Sequence, residues 1–291
     1  MPRCAFLSIS NTEGWFIDDD LVHPFLHELG WEVKNIPWNE KTDWNKWDLV
    51  IIRSPWDYQQ HLEEFMQVLQ KIQDSTAILL NPLDIVKRNI HKGYLFELAE
   101  KGIELVPTQK FSSLDKSLIT ESFEKFKSNQ LVIKPLVGAN ADDTFWINIS
   151  HPLDWEKPLE VFQEKEGMIQ PFMSGIVKEG EFSLIYLNGE LSHTILKTVG
   201  IGDFRVQEEH GGGVIAIPNP EPELVNAADK AMKALSSTPF YARVDLVRTR
   251  QGSFALMELE LIEPCLYFRF DPDSPKKFAA LIHDYYSNLS N

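Results

Sequence analysis

The densest chemical signal in the sequence is a group of three carboxylates and one arginine near its end: Asp245, Glu258, Glu260 and Arg243. The stretches YARVDLVRT and SFALMELELI read as two strands joined around Gln251-Gly252. A two-residue turn pairs residue 250 with 253, which sets Asp245 opposite Glu258 and Arg243 opposite Glu260. Side chains alternate along a strand, so all four share one face. Two carboxylates directly opposite each other repel unless a cation lies between them. Glu258 and Glu260 stand about 7 Å apart at roughly 3.3 Å per residue. That spacing can flank one or two Mg2+ ions, which take hard oxygen ligands and share them with phosphates. The competing reading is a solvated charged face on which Arg243, Arg248 and Arg250 neutralise the acids. Val244, Leu246, Leu259 and Leu261 fit strands buried on their other face. The register hangs on the turn, because one residue more or less moves these pairs apart.

Cations that could meet phosphates lie upstream. Lys134 ends the apolar run LVI and precedes Pro135. A lysine there needs an anion, or it snorkels at the strand end. The loop 137–143 follows, and its small residues let backbone N–H groups approach an anion. It is not a Walker A loop, since no GxxxxGK[ST] occurs. Lys92, in RNIHKGY, sits near a helix start and could equally be a surface lysine. Lys197 and Arg205 flank Gly200 and Gly202, with Gly211 to Gly213 beyond. Such a segment suits a loop closing over a phosphoryl group, against the alternative of an ordinary surface loop. His91, His193 and His210 show no metal-triad spacing. All three are read as structural, with His210 a candidate substrate contact.

Positioning these groups requires a scaffold. CAFLSI, WEVKNI, DLVIIRS and TAILLN read as strands, alternating with helices in DDDLVHPFLHELG and over 59–71. That alternation predicts a parallel α/β sheet. Asn81 and Pro82 suit the cap and first position of a helix over 83–101. VPTQKF, LVIKP, TFWINI and GMIQPFM are short strands of a small α+β lobe, with a helix over 114–127 and another before Gly167. FSLIYL-NG-ELSHTILKT predicts a hairpin with a type I′ turn at Asn188-Gly189. A further helix spans 221–236.

Bulk properties narrow the function classes. The 291 residues suffice for one large or several small domains. A net charge of −15 disfavours nucleic acid as a partner. Cys4 and Cys265 form no metal spacing or disulfide framework and read as free thiols of a reducing compartment. No run approaches a membrane span and no leader pattern opens the chain, so a cytoplasmic location without membrane contact is expected.

Taken in order, NIHKGYLFELAEKGIELVPT, LVIKPLVGANADDTF, MIQPFM, EGEFSLIY, GDFRVQEEHGGG and ARVDLV…MELELIEP resemble the ATP-grasp superfamily of carboxylate ligases, over roughly residues 82–265. The resemblance implies a mixed α/β and α+β architecture, an ATP-grasp fold behind a Rossmann-like N-terminal domain. Its expected units are 1–82, a central lobe 83–172 and a C-terminal lobe 173–291 with the metal site. Lys92 and Lys134 would then contact ATP phosphates. Gln170, Pro171 and Phe172 would line the adenine pocket, and Glu179 or Glu181 would lie near the ribose. Arg205 would stabilise the transferred phosphoryl group, with Lys197 and Arg243 as further catalytic candidates. Asp245, Glu258 and Glu260 match the metal positions, although many relatives end this motif Glu-x-Asn where this chain has Glu-Leu-Glu. RSPWDY and ELELIEP are similar to the small ligases that include the D-cycloserine-forming cyclo-ligase group, and the chain also resembles the glutathione synthetase-like ATP-grasp enzymes. That similarity implies that Arg53, Trp56, Asp57 and Tyr58 face the cleft. The expected chemistry is acyl-phosphate formation from ATP with Mg2+, or Mn2+ in its place, followed by attack of an amine on an amino-acid-like small molecule. An intramolecular ring closure and a non-catalytic nucleotide-binding module are the alternatives, and a homodimer is the default assembly.

Overall fold

Alternating apolar strands and amphipathic helices build a parallel sheet at the N-terminus of the computed structural model, which describes residues 1–138, 141–200, 205–208 and 211–289. Strands β1 (Arg3–Ser8), β2 (Glu32–Pro37), β3 (Leu49–Ser54) and β4 (Ile78–Leu80) lie in the order β2-β1-β3-β4, all parallel. Helix α1 (His23–Glu28) is followed by Gly30 at φ +82°, a left-handed position that glycine fills without steric cost. Helix α2 (Leu62–Gln73) buries Phe65, Leu69 and Ile72, spaced as one helical stripe.

The stretch 83–101 is two helices rather than one, α3 (Leu83–Asn89) and α4 (Tyr94–Glu100). Asn81 does not cap α3, whose first turn has no side-chain cap. Its amide is taken elsewhere. Asn81 Nδ2 donates to the carbonyls of Tyr241 (2.9 Å) and Leu261 (2.8 Å), and Oδ1 accepts from the Phe240 amide (2.6 Å). The fully buried Asn81 thus joins the first sheet to the last. An Asn81→Ala variant strands three buried backbone groups at about 1–3 kcal/mol each. A loss of at least about 3 kcal/mol in urea unfolding is therefore expected.

A second, antiparallel sheet contains β5 (Gln109–Phe111), β6 (Gln130–Pro135), β7 (Phe145–Asn148) and β8 (Gly167–Pro171) in the order β5-β8-β6-β7. Helices α5 (Lys116–Phe126) and α6 (Glu156–Val161) cover its apolar side through Ile119, Phe123 and Leu159. Asp115 caps α5 by accepting from the Leu118 amide at 2.8 Å. A short helix, α7 (Ser174–Lys178), then leads to a third sheet.

That sheet is antiparallel and five-stranded, with β9 (Glu181–Leu187), β10 (Glu190–Thr198), β11 (Gly213–Ala216), β12 (Tyr241–Arg248) and β13 (Phe254–Glu260) in the order β11-β10-β9-β12-β13. Asn188 and Gly189 carry φ of +50° and +82°, as the expected hairpin turn requires. Helix α8 (Pro222–Lys233) packs Leu224, Ala228 and Ala231 into the core of this sheet, and Leu95 and Leu98 of α4 join them. Helix α9 (Ser274–Leu289) returns to the first sheet, where Phe278, Ala279 and Ile282 meet Phe6, Leu26 and Trp31. Among the described residues no helix is long and apolar enough to cross a membrane.

Candidate active site

The β12–β13 hairpin reaches the expected pairing by an unexpected route. Arg243 pairs with Glu260, Val244 with Leu259 and Asp245 with Glu258. The turn, however, is one residue longer than a two-residue turn: the Thr249 amide donates to the Ser253 carbonyl at 2.8 Å, leaving 250–252 as the loop. Below it Leu246 pairs with Leu256, and the register shifts between there and Asp245. Met257 is the extra residue of a β-bulge. The longer loop and the bulge offset each other. The bulge also switches the alternation of β13. Phe254 and Leu256 on one side of it, and Leu259 and Leu261 on the other, all enter the same core, while Glu258 and Glu260 face a cavity.

The outer edge of β13 is held by the broken helix. Tyr94 Oη accepts from the Leu259 amide (3.0 Å), and Asn89 contacts both the Leu259 carbonyl (2.8 Å) and the Leu261 amide (2.9 Å). The break between α3 and α4 presents Lys92. Its amide donates to the Leu136 carbonyl at 2.7 Å, and its ammonium bonds the Gly138 carbonyl and Glu258, the latter at 2.9 Å. Lys92 is buried, so the surface reading of this lysine does not hold.

The cavity lies between the second and third sheets, with about 1220 Å³ of empty space open to solvent. Lys134, Gln170, Pro171 and Phe172 line one wall, and Met257, Glu258 and Glu260 the other. Gly138, Ala141 and Asp142 belong to a third side, and Arg205 reaches in beside Val206 and Gln207. Ala139 and Asn140 of the small-residue loop lie outside the described residues, as do Gly202 and His210. Gln170 donates to Thr108 Oγ1 at 2.8 Å, which fixes its side chain. Burial lowers the Lys134 pKa and Lys92 adds to this, against the opposing pull of Glu258. For Glu258, burial works upward but Lys92 and Lys134 outweigh it, and the carboxyl is held below its usual range.

Beneath the cavity floor lies a buried charge network. Asp245, 2% exposed, accepts from Arg243 through both oxygens, at 3.0 Å to Nε and 3.0 Å to Nη2, and from Ser183. Lys197 stands 3.4 Å from Asp245 and also pairs with Glu181, while Arg243 continues to Glu260. Burial pushes the Asp245 carboxyl up, yet Arg243 and Lys197 prevail and hold it at about 2. The same acids raise Lys197 and Arg243 against the effect of their burial.

Several expectations are corrected by this arrangement. Asp245 faces Glu258 in register, but its carboxylate is saturated by Arg243, Lys197 and Ser183 and does not line the cavity. Lys197 is a strand residue locked under the floor, not part of a covering loop. Arg243 shares that network and reaches the cavity through Glu260. Glu179 is bound by Arg248 at 2.9 Å, away from the cavity, whereas Glu181 lines it. Arg53 does not face the cleft; fully buried, it pairs with Asp19 (3.0 Å), donates to the Pro264 carbonyl (3.0 Å) and lies over Tyr241. Trp56 donates to the Glu263 carbonyl (2.9 Å), and Asp57 accepts from Trp38 Nε1 (2.6 Å). Of the four residues expected at the cleft, Tyr58 lines the cavity. His91 bonds Glu166 at 2.9 Å and His193 the Leu266 carbonyl at 2.9 Å, as structural residues do.

Glu263, which sequence reasoning missed, also lines the cavity and accepts a hydrogen bond from Tyr58. The available signal was a charged residue between apolar Ile262 and Pro264, three residues after a strand whose acids face the cavity.

Among the described residues no three His, Cys, Asp or Glu side chains form a ready-made metal cage. Glu258 and Glu260 nonetheless fit Mg2+, which commonly takes one or two carboxylates and completes its shell with phosphate oxygens and water. Glu260 shows the fit: burial lifts its carboxyl, Arg243 pulls it back, and the charges of Asp245 and Glu258 drive it up to about 8. A divalent cation between the two glutamates relieves that repulsion.

Residues 4–81 match the family described as D-cycloserine synthetase DcsG, N-terminal domain. The cycloserine biosynthesis protein DcsG of Streptomyces lavendulae is 25% identical over 262 residues, covering 83% of this chain and 85% of that protein. The crystal structure of D-cycloserine synthetase DcsG superposes with a TM-score of 0.85 at 23% identity, over 98% of this chain and 99% of that one. D-alanine–D-alanine ligase from Bacillus anthracis gives a TM-score of 0.71 at 15% identity, covering 99% and 98% of the two chains.

Proposed function

We propose that this chain, which has the ATP-grasp fold and is related to DcsG, is an ATP-dependent ligase that activates a carboxylate, or a similar carbonyl group, of an amino-acid-like small molecule for attack by an amine. The observation that carries this reading is the placement of Lys92, Lys134 and Arg205 around one cavity with Glu258 and Glu260 on its opposite wall. Three cations at a site whose chain is otherwise strongly acidic suit a triphosphate. A structure of the Bacillus anthracis ligase, similar to this chain, holds ATP.

In this reading Lys92 and Lys134 bind phosphate oxygens from two directions, and Arg205 neutralises charge that develops on the transferred group. Gln170, Pro171 and Phe172 line the adenine end, with Glu181 towards the ribose. Glu258 and Glu260 would hold Mg2+, with Mn2+ as a substitute, and the bound ion would neutralise phosphate charge and orient the terminal phosphate. Asp245, Arg243 and Lys197 do not touch the reactants but fix where Glu258 and Glu260 stand. The amine then attacks the acyl carbon of the acyl-phosphate formed from the substrate carboxylate, forming the C–N bond as inorganic phosphate leaves and the amine gives up a proton, in a cavity whose groups are already oriented. We further propose a cytoplasmic enzyme with no nucleic-acid partner, a homodimer as default, and three units at 1–82, 83–172 and 173–291 whose helices α3, α4 and α9 pack across the boundaries.

The relation of residues 4–81 to the DcsG N-terminal domain favours a second form of the same chemistry, in which one molecule supplies both carbonyl and amine and closes a ring. ADP release with a single amino-acid-like compound supports it, and a strict need for two substrates excludes it. The general reading is tested by substrate-dependent ADP and phosphate release from Mg-ATP. Binding of ATP without such release across a broad amino-acid and dipeptide panel would overturn it. Lys134→Met is expected to weaken ATP binding about tenfold or more, through loss of a charge-assisted contact, as read by calorimetric titration with a non-hydrolysable analogue.

A further inference from the structure

Resting on that reading, we infer that Glu263, held by Tyr58 and Trp56, is the subsite for a positively charged amino group of the substrate. The cavity's other charged groups, the exposed Asp142 on its third side apart, have a use within the proposed chemistry. Lys92, Lys134 and Arg205 suit phosphate oxygens, and Glu258 and Glu260 suit a divalent cation. Glu181 is paired with Lys197. Glu263 is left over, a carboxylate only 9% exposed that lines the same cavity. The cations nearest to it are committed, Lys92 to Glu258 and Arg243 to Asp245 and Glu260. Its direct partner is neutral, the phenol of Tyr58.

A buried carboxylate with one neutral donor is costly unless a cation arrives. Burial accordingly lifts the Glu263 carboxyl, the Tyr58 bond opposes this, and it settles at about 7. An ammonium group brought by the substrate supplies the missing charge and up to three donors. The backbone that carries this carboxylate is also held in place. Trp56 Nε1 donates to the Glu263 carbonyl at 2.9 Å, Pro264 follows, and its carbonyl accepts from the buried Arg53 at 3.0 Å. Tyr58 stacks on Phe65 of α2, with ring centres 4.4 Å apart. The segment following β3 therefore acts as a brace for this subsite, and of its residues Tyr58 reaches the cavity. A site that pairs a buried charge to one substrate group rejects analogues lacking that group, because the charge is then left bare.

The test uses the full-length protein with Mg-ATP and D- and L-serine and D- and L-alanine, each against its 2-hydroxy counterpart, glycerate or lactate. ADP release stimulated by an amino acid, but not by its hydroxy counterpart, is expected from the wild type. Glu263→Gln should then lower kcat/KM for that amino acid about a hundredfold, mainly through KM, with affinity for the non-hydrolysable ATP analogue and the thermal midpoint unchanged. Tyr58→Phe should give a smaller rise in the same KM. Equal stimulation by hydroxy and amino compounds, or an unaltered KM in a folded Glu263→Gln protein, overturns the inference and leaves the ligase reading standing. Stimulation by neither series, nor by the broader panel, overturns the ligase reading and the inference with it.

Discussion

Replacing Glu258 with glutamine should lower ADP formation by about a hundred- to a thousandfold, the range seen when one oriented electrostatic group is removed from an active site. The change is isosteric and leaves the β12–β13 ladder untouched. Glu258 lies on the cavity wall with its side chain 28% exposed, and a glutamine there keeps an oxygen that can accept from the buried Lys92, so little of the contact is lost to folding. Lys92 also keeps its bond to the Gly138 carbonyl. The effect should therefore fall on turnover and not on the unfolding midpoint. A coupled ADP assay beside far-UV circular dichroism separates the two. Turnover equal to that of the wild type, in a folded variant, removes Glu258 from the metal-binding role.

Asp245→Ala should have the opposite profile, a folding defect of about 3–5 kcal/mol, because it leaves the buried charges of Arg243 and Lys197 without their shared partner. Against a typical stability of about 5–15 kcal/mol, that loss is large, and the urea midpoint should fall accordingly. The acid limb carries a second signature. The Asp245 carboxyl is held at about 2 in the fold against an ordinary value of 3.8. A depressed folded value contributes stability above the ordinary value and loses it as pH falls through the folded one. The stability gap between wild type and variant should therefore be full above about pH 4 and narrow between about pH 4 and 2. A gap independent of pH across that window would mean that Asp245 is not held by Arg243 and Lys197 as described.

The two glutamates and the aspartate differ in a way no sequence pattern distinguishes. The register expected from the sequence sets Asp245 opposite Glu258 and Arg243 opposite Glu260, and it holds only because the bulge at Met257 offsets a loop one residue longer than expected. It could not tell which carboxylate faces the open cavity and which is buried under it. That depends on Ser183 from the adjacent strand β9 and Lys197 from β10 beyond it. Asn81 misled for a similar reason. Its place before Pro82 satisfies the local rule for a helix cap, but partners from residues 240, 241 and 261 compete for the same amide and win. Similarity places Arg53, near the end of β3, at the cleft, whereas Asp19 and the Pro264 carbonyl take up its guanidinium inside the protein. The order of the elements was legible, since it rests on local periodicity. The break between α3 and α4 was not, because what holds it open is the edge of β13, contacted by Asn89 and Tyr94.

The bulge at Met257 has a bearing on how this hairpin can change over time. It stands between the turn and the acids, so the two ends of the hairpin are mechanically independent. A loop at 250–252 can grow or shrink while the ladder from Asp245 onward keeps its partners, much as an expansion joint lets one span lengthen without moving the next. Descendants of this sequence can vary the tip of the hairpin freely. An insertion between Met257 and Glu258 has no such slack, and it would turn the two cavity glutamates towards the hydrophobic core.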